Sequence, residues 1–276
     1  MRVAFVADST LGLAPARARE LGIHVVPARV RIGEADLADY LEATPEAVAR
    51  AFAEGLPIAT SAPPPGAFAE AFRRLLEAHD RVVAVTVSRR LSGTFDSARL
   101  AARDFGGRVL VLDSMALNAG LRFLIEAARR WLAEGEAFEG IPARAEAYAR
   151  RIVGWILPAS LEGLFRSGRI GNLTHVLGRV LRVLPVLELK EGRLEAAGRV
   201  RGFSRGVREL ARRYRPLAPR RVALAHAENP RAVAELQAAV EALGGRVDPI
   251  VHDAGAAVAA HGGPGSVGLI VDPGDA

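Results

Sequence analysis

Cysteine is absent from the 276 residues, and that absence removes disulfides, thiolate catalysis and Cys-based metal sites together. Lysine is almost missing too. Lys190 stands alone among 37 basic residues, so nearly all the positive charge is guanidinium. The net charge of +6 suggests a nucleic-acid partner at first sight. Aromatic residues make up only 5% of the chain, however, and no compact basic tract is interleaved with them, so the pattern reads as dispersed arginine with no nucleic-acid partner. No apolar run reaches the roughly 18 residues of a membrane-spanning helix. The stretch from Met1 to Asp8 is too short for a signal peptide and ends in an acid instead of a small-residue cleavage site. It reads as the first strand of a cytoplasmic protein.

The chain does contain short β-branched runs that alternate with amphipathic stretches, the pattern of strands joined by crossover helices. Strands are predicted at Val3–Ala7, His24–Val30, Arg81–Val87 and Val109–Leu112. Phe68, Phe72, Leu75 and Leu76 mark one helical face, and Thr44-Pro45 offers the cap and first position of another helix. Leu117–Glu134 and Ala143–Val153 read as consecutive helices, and Trp155–Pro158 as a strand or a crossing segment. The second part carries a hairpin with its turn at Glu191-Gly192, strands at Val222–Ala225 and Arg246–Val251 around a helix Ala232–Leu243, and a closing strand Val267–Val271. The predicted fold class is α/β. The length fits either one large α/β domain or two domains sharing a cleft, and a boundary is predicted near residue 158, dividing residues 1–158, an open, mostly parallel sheet, from residues 159–276.

Gly202-Phe203-Ser204-Arg205-Gly206 matches the nucleophile elbow of α/β-hydrolases, with Asp248 or Asp253 and then His261 following in hydrolase order. Ser204 is equally suited to cap the helix predicted at Val207–Tyr214. Only 72 residues follow it, little room for a hydrolase's remaining strands and cap. The reading preferred here is the cap. Gly263-Pro264-Gly265-Ser266-Val267-Gly268 has the spacing of a dinucleotide loop but no room for the helix and acid that must follow. His226, His252 and His261 lack metal-ligand spacing, so no metal site is predicted.

Open α/β sheets bind ligands at the carboxyl ends of their strands, and Ser/Thr/Asp turns recur there: Asp8-Ser9-Thr10, Thr60-Ser61, Ser88 to Thr94, and Asp113-Ser114. Ser92-Gly93-Thr94 starts a helical pattern running to Phe105, where exposed N–H groups attract an anion. The loop His261-Gly262-Gly263-Pro264-Gly265 adds close backbone approach and an imidazole. Arg169, in Ser167-Gly168-Arg169-Ile170, offers a charge-assisted bond. No nucleophile is paired with an evident base, so the residues suit binding better than turnover. A carrier of some other anionic small molecule fits them as well.

In order along the chain, Asp8-Ser9-Thr10, Thr60-Ser61, Leu91-Ser92-Gly93-Thr94, Asp113-Ser114, Leu164–Ile170, Arg199-Val200-Arg201 and His261–Gly265 resemble the DegV family. The resemblance implies two α/β domains with a long-chain fatty acid between them. It also implies a non-catalytic subunit that presents the acid to a separate ATP-binding fatty acid kinase subunit, making acyl phosphate for phospholipid synthesis. The bound acid would be the only ligand, with no cofactor. By position, Thr60, Ser61, Ser92, Gly93 and His261 match the family's head-group contacts. Arg169 matches the arginine of its Gly-Gly-Arg-Ile segment, and Arg201 one that follows the hairpin, near the carboxylate or the kinase-facing rim. Two departures stand out. Ala62-Pro63-Pro64-Pro65 replaces the usual Gln-Pro-Ser continuation, losing an amide and a hydroxyl, and Ser167 replaces a glycine.

Overall fold

The computed structural model describes residues 1–159, 168, 170–171, 183–218 and 220–274. Three sheets organise these residues. The first is parallel throughout, in the order β2 (Ile23–Val26), β1 (Val3–Asp8), β6 (Arg81–Thr86), β7 (Val109–Asp113). Its strands are buried on both faces, as an all-parallel sheet requires, and side-chain alternation assigns each face. Ala4, Val6, Val82 and Ala84 join Phe68 and Phe72 of α3 (Pro65–Leu76) and Ala98 of α4 (Thr94–Ala102). Phe5, Ala7, Val83 and Val85 face the opposite way, into a core shared with α5 (Ala119–Ala133) and α6 (Ile141–Ala149).

The second sheet runs β13 (Arg246–Val247), β12 (Arg221–His226), β15 (Val267–Val271), β8 (Val153–Leu157), β10 (Val183–Lys190), β11 (Arg193–Arg201), β9 (Ile170–Gly171), with β14 (His252–Asp253) also on β12. Its centre is antiparallel. Here β8, which ends one residue before the predicted domain boundary, lies between β15 and β10. Val222, Leu224, Leu269 and Val271 pack under α7 (Phe203–Tyr214) and α8 (Pro230–Glu241), while Ala223 and Ile270 on the other face join the core around α5. Helix α5 therefore lies between the two sheets, against β6 on one side and β12 and β15 on the other. That explains why almost its whole length is buried.

The third sheet is small and antiparallel, β4 (Ala35–Ala38), β3 (Arg29–Ile32), β5 (Ile58–Ser61). It packs on α2 (Pro45–Ala53) and α9 (Gly255–Gly262). The single strand predicted at His24–Val30 is in fact two. Pro27 has no N–H to give a ladder, and the next amide, Ala28 N, donates to Ser9 Oγ at 3.0 Å, so the chain leaves the parallel sheet and starts β3. The strand predicted at Arg246–Val251 is likewise interrupted, because Asp248 Oδ1 accepts from Ile250 N at 2.9 Å and turns the backbone.

Other local signals act as the sequence suggests. Thr44 caps α2 by accepting from Ala47 N at 3.2 Å, with Pro45 in the first position. Glu191 and Gly192 turn the β10–β11 hairpin with φ of 47° and 78°, both left-handed as a type I′ turn demands. Ser204 does not cap α7. Gly202 holds that position, with φ 83° and ψ 146° and no side-chain cap bond, and the helix begins at Phe203. The glycine takes a conformation closed to other residues, so the chain enters the helix earlier than the apolar pattern alone suggested. No helix among the described residues is long and apolar enough to cross a membrane.

Candidate ligand cavity

A cavity of about 190 Å³ opens where several strands end. Thr10 lines it just beyond β1, Val87 beyond β6, Ser61 at the end of β5, Pro158 beyond β8 and His226 at the end of β12. This is the crevice in which open α/β sheets hold ligands.

Thr60, Ser61, Ser92, Gly93 and His261 all line the same cavity. Thr60 Oγ1 and His261 Nε2 lie 2.8 Å apart, joining β5 to the last turn of α9. Ser92 Oγ and Thr94 Oγ1 are 2.9 Å apart, and Thr94 N donates to Ser92 Oγ at 3.3 Å. Gly93 is the cap residue of α4, so the amide end of that helix stands at the wall, with its dipole favouring negative charge. Arg201 is exposed at the last position of β11 and does not line the cavity. Arg169 lies outside the described residues.

Other acids and hydroxyls of the quoted turns hold the scaffold. Asp8, fully buried, accepts from Thr10 N and Thr10 Oγ1 through Oδ1 and from Val87 N through Oδ2. It ties the ends of β1 and β6 together, and burial pushes its carboxyl above the usual range against those hydrogen bonds. Ser9 Oγ donates to Asp39 Oδ2 at 2.7 Å, and Asp39 Oδ1 accepts from Ala256 N and Ala257 N at 2.9 and 3.3 Å. Asp39 thereby caps α9 from across the fold. Burial raises its carboxyl to about 6, with Ser9 and the two amides acting against the shift. Asp113 accepts from Met115 N at 2.9 Å, and Ser114 Oγ from Ala116 N at 3.1 Å.

The lining contains residues that the sequence reading did not choose. Thr10 and Thr94 stood inside quoted turns; Asn118, His226 and Ser266 gave no comparable signal. His226 Nδ1 accepts from Asn229 N at 3.3 Å, which puts the proton of the neutral ring on Nε2, and burial lowers its pKa. Most of the remaining lining is apolar, including Leu91, Leu117, Ile156, Leu187, Leu194 and Val258. Two imidazoles are present, but among the described residues no Arg, Lys, Asp or Glu lines the cavity.

The hydrolase arrangement is not assembled. Ser204 is exposed in the first turn of α7, away from the cavity that His261 lines. Asp248 is paired with Arg122 and Arg221 at 2.8 and 2.6 Å, and Asp253 Oδ1 accepts from Gly255 N.

Residues 2–274 match the DegV family, described as uncharacterised proteins. The chain belongs to the DegV family. A DegV domain-containing protein of Streptomyces coelicolor is 35% identical, with 98% of each chain covered, and one of Deinococcus radiodurans is 32% identical, with 99% of each covered. Among solved structures, a DegV family protein from Thermus thermophilus, described for its fatty acid binding, superposes with a TM-score of 0.90. It is 38% identical, with 99% of each chain covered. A Thermotoga maritima protein whose structure is said to reveal fatty acid binding function has a TM-score of 0.84. It is 25% identical over 99% of each chain. The mixed α/β architecture of this DegV protein is that of these structures.

Proposed function

We propose that this DegV protein holds a long-chain fatty acid in the cavity, with the carboxylate among Thr60, Ser61, Ser92, Gly93 and His261 and the tail along the apolar wall. The observation that carries the reading is convergence. Five positions drawn from β5, the α4 cap and the end of α9 line one cavity whose other surface is mainly aliphatic. The fatty acid binding described for the Thermus thermophilus and Thermotoga maritima relatives supports it.

The energetics fit an acyl ligand. Each buried methylene contributes about 0.8 kcal/mol, so a tail of about 15 supplies roughly 10 kcal/mol before association costs. The head contacts then fix orientation. A buried carboxylate needs compensating donors, and hydroxyls, an imidazole and the α4 amide end meet that need.

In this reading the protein is a non-catalytic subunit of the cytoplasm, formed of two α/β domains, with β8 belonging to the sheet of the second. It presents one carboxylate oxygen to a separate ATP-binding kinase subunit. That oxygen attacks the γ-phosphorus, the bond to ADP breaks, and the acyl phosphate leaves for phospholipid synthesis. By the family resemblance Arg169 assists either the carboxylate or the kinase encounter, and the exposed Arg201, which does not line the cavity, acts by charge steering. Extraction of the purified protein with organic solvent, followed by mass spectrometry, tests the first step. A long-chain acid near one equivalent per chain is the expected result, and a different anionic small molecule in its place would refute the acyl assignment.

A further inference from the structure

The turn of a hairpin ordinarily lies at the surface, yet Gly192, at the tip between β10 and β11, is buried while its neighbour Glu191 is exposed. Ser88, 104 positions earlier in the chain and fully buried, lies against it. Ser88 Oγ donates to Gly192 O at 2.7 Å and accepts from Arg90 N at 3.2 Å, so the hydroxyl is engaged both as donor and as acceptor. The fit is close. A β-carbon at Gly192 would stand 2.5 Å from Ser88 Oγ and 3.4 Å from Met115 Cα, at a φ of +78° that suits glycine. The hairpin belongs to the second sheet, and Ser88 to the loop that leaves β6 of the first, so this contact bridges the two.

The same residue shapes the loop that carries the head-group contacts. Ser88 N donates to Ala116 O at 2.9 Å, and Ser88 O accepts from Leu91 N at 2.9 Å and from Ser92 N at 3.1 Å. The chain is thereby turned into Ser92 and Gly93, at the start of α4. Both arms of the hairpin reach the cavity as well, for Leu187 of β10 and Leu194 of β11 line it, whereas Ser88 does not. Through one hydroxyl and one carbonyl, Ser88 joins the apolar wall on the hairpin to the hydroxyl proposed for the head of the ligand. A bond that only fastened the sheets together could start from any residue of the loop. Here it starts from the residue whose carbonyl sets the Ser92 turn.

We infer that Ser88 is a positioning residue, which holds Ser92 on the fatty-acid carboxylate by keeping the loop seated on the hairpin tip. With the tip docked, Ser88 is pinned at its N–H, its carbonyl and its hydroxyl, and Ser92 Oγ has one place. With the tip free, the loop keeps its local turn but loses its seat against the second sheet, and the bond to the carboxylate weakens. Preference for an acid then depends on a contact outside the cavity. This inference rests on the acyl reading above and adds to it the source of the head-group geometry.

The test is the ratio of affinities for palmitic acid and cetyl alcohol, which share a chain and differ at the head, measured on delipidated protein by displacement of a fluorescent acyl probe. Ser88→Ala should lower the native preference for the acid about three- to tenfold, the effect of weakening one hydrogen bond to a carboxylate. Gly192→Ala, which pushes the tip off the hydroxyl from the other side, should lower it to a similar extent and serves as the test if Ser88→Ala does not fold. Because Ser88 acts through Ser92, adding Ser88→Ala to Ser92→Ala should lower the ratio no further. A merely structural Ser88 would lower the melting temperature and weaken acid and alcohol alike, leaving the ratio at its native value. A native ratio in folded Ser88→Ala or Gly192→Ala protein, an undiminished further fall in the Ser92→Ala background, or equal affinity of the native protein for acid and alcohol overturns the inference and leaves acyl binding standing. If the native protein binds neither ligand, both fall together.

Discussion

Thr60 and His261 lie 201 positions apart yet bring Oγ1 and Nε2 to 2.8 Å. A contact of that kind is invisible to spacing rules, because neither residue has a local reason to anticipate the other. What the sequence does carry is placement. Ser and Thr in turns at strand ends mark the rim of an α/β crevice, and Thr60, Ser61, Ser92, Gly93 and His261 all line the cavity. The same logic misjudged Ser204, because a cap residue is chosen by backbone conformation, and Gly202 at φ 83° took the position. At this scale the proposed contacts make a separable prediction. Ser92→Ala and His261→Ala each remove one bond to a charged group, worth roughly 1.5–3 kcal/mol, so fatty-acid affinity should fall while acyl binding persists. Kinase-dependent acyl phosphate formation should fall further, because in-line positioning contributes to a barrier that equilibrium binding does not sense. Unchanged affinity and unchanged phosphorylation in both variants would remove these residues from the site.

Helices and strands follow the sequence where a strong local signal exists and depart from it where a tertiary bond intervenes. The parallel strands read as apolar runs because both their faces are covered, and the hairpin declared itself through Glu191-Gly192. The break after β2 did not, since it depends on Ser9 taking the Ala28 amide from another element. Helix α9 illustrates the same dependence. It carries His261 in its last turn, and its first turn is held by Asp39, whose carboxyl burial raises from 3.8 to about 6. The native state therefore holds the Asp39 proton more tightly than the unfolded chain does. Stability from this group is greatest below pH 4 and falls as pH rises through the window from about 4 to 6. A displacement of that size corresponds to roughly 3 kcal/mol. Asp39→Asn has no such proton to lose. Urea unfolding of both proteins across pH 4 to 7 should show the native protein losing stability relative to the variant as pH rises, and a pH-independent difference would contradict the assignment.

Across the whole molecule, the buried helix α5 holds two sheets together and leaves a cavity where their strand ends meet. The α/β class and the order of its elements were legible because apolar periodicity reports which faces are covered. The meeting of the two sheets was not legible. It is written in single residues such as Ala223 and Ile270, which join the core of the other sheet through one face of their strands. A carrier built on this seam should bind one acyl chain in a dry apolar space, with a negative heat-capacity change as its thermodynamic mark. The most direct measurement is calorimetric titration of delipidated protein with palmitic acid at several temperatures. The account predicts saturable one-to-one binding with a negative heat-capacity change. The absence of saturable binding at every temperature, in protein that remains folded, would contradict it.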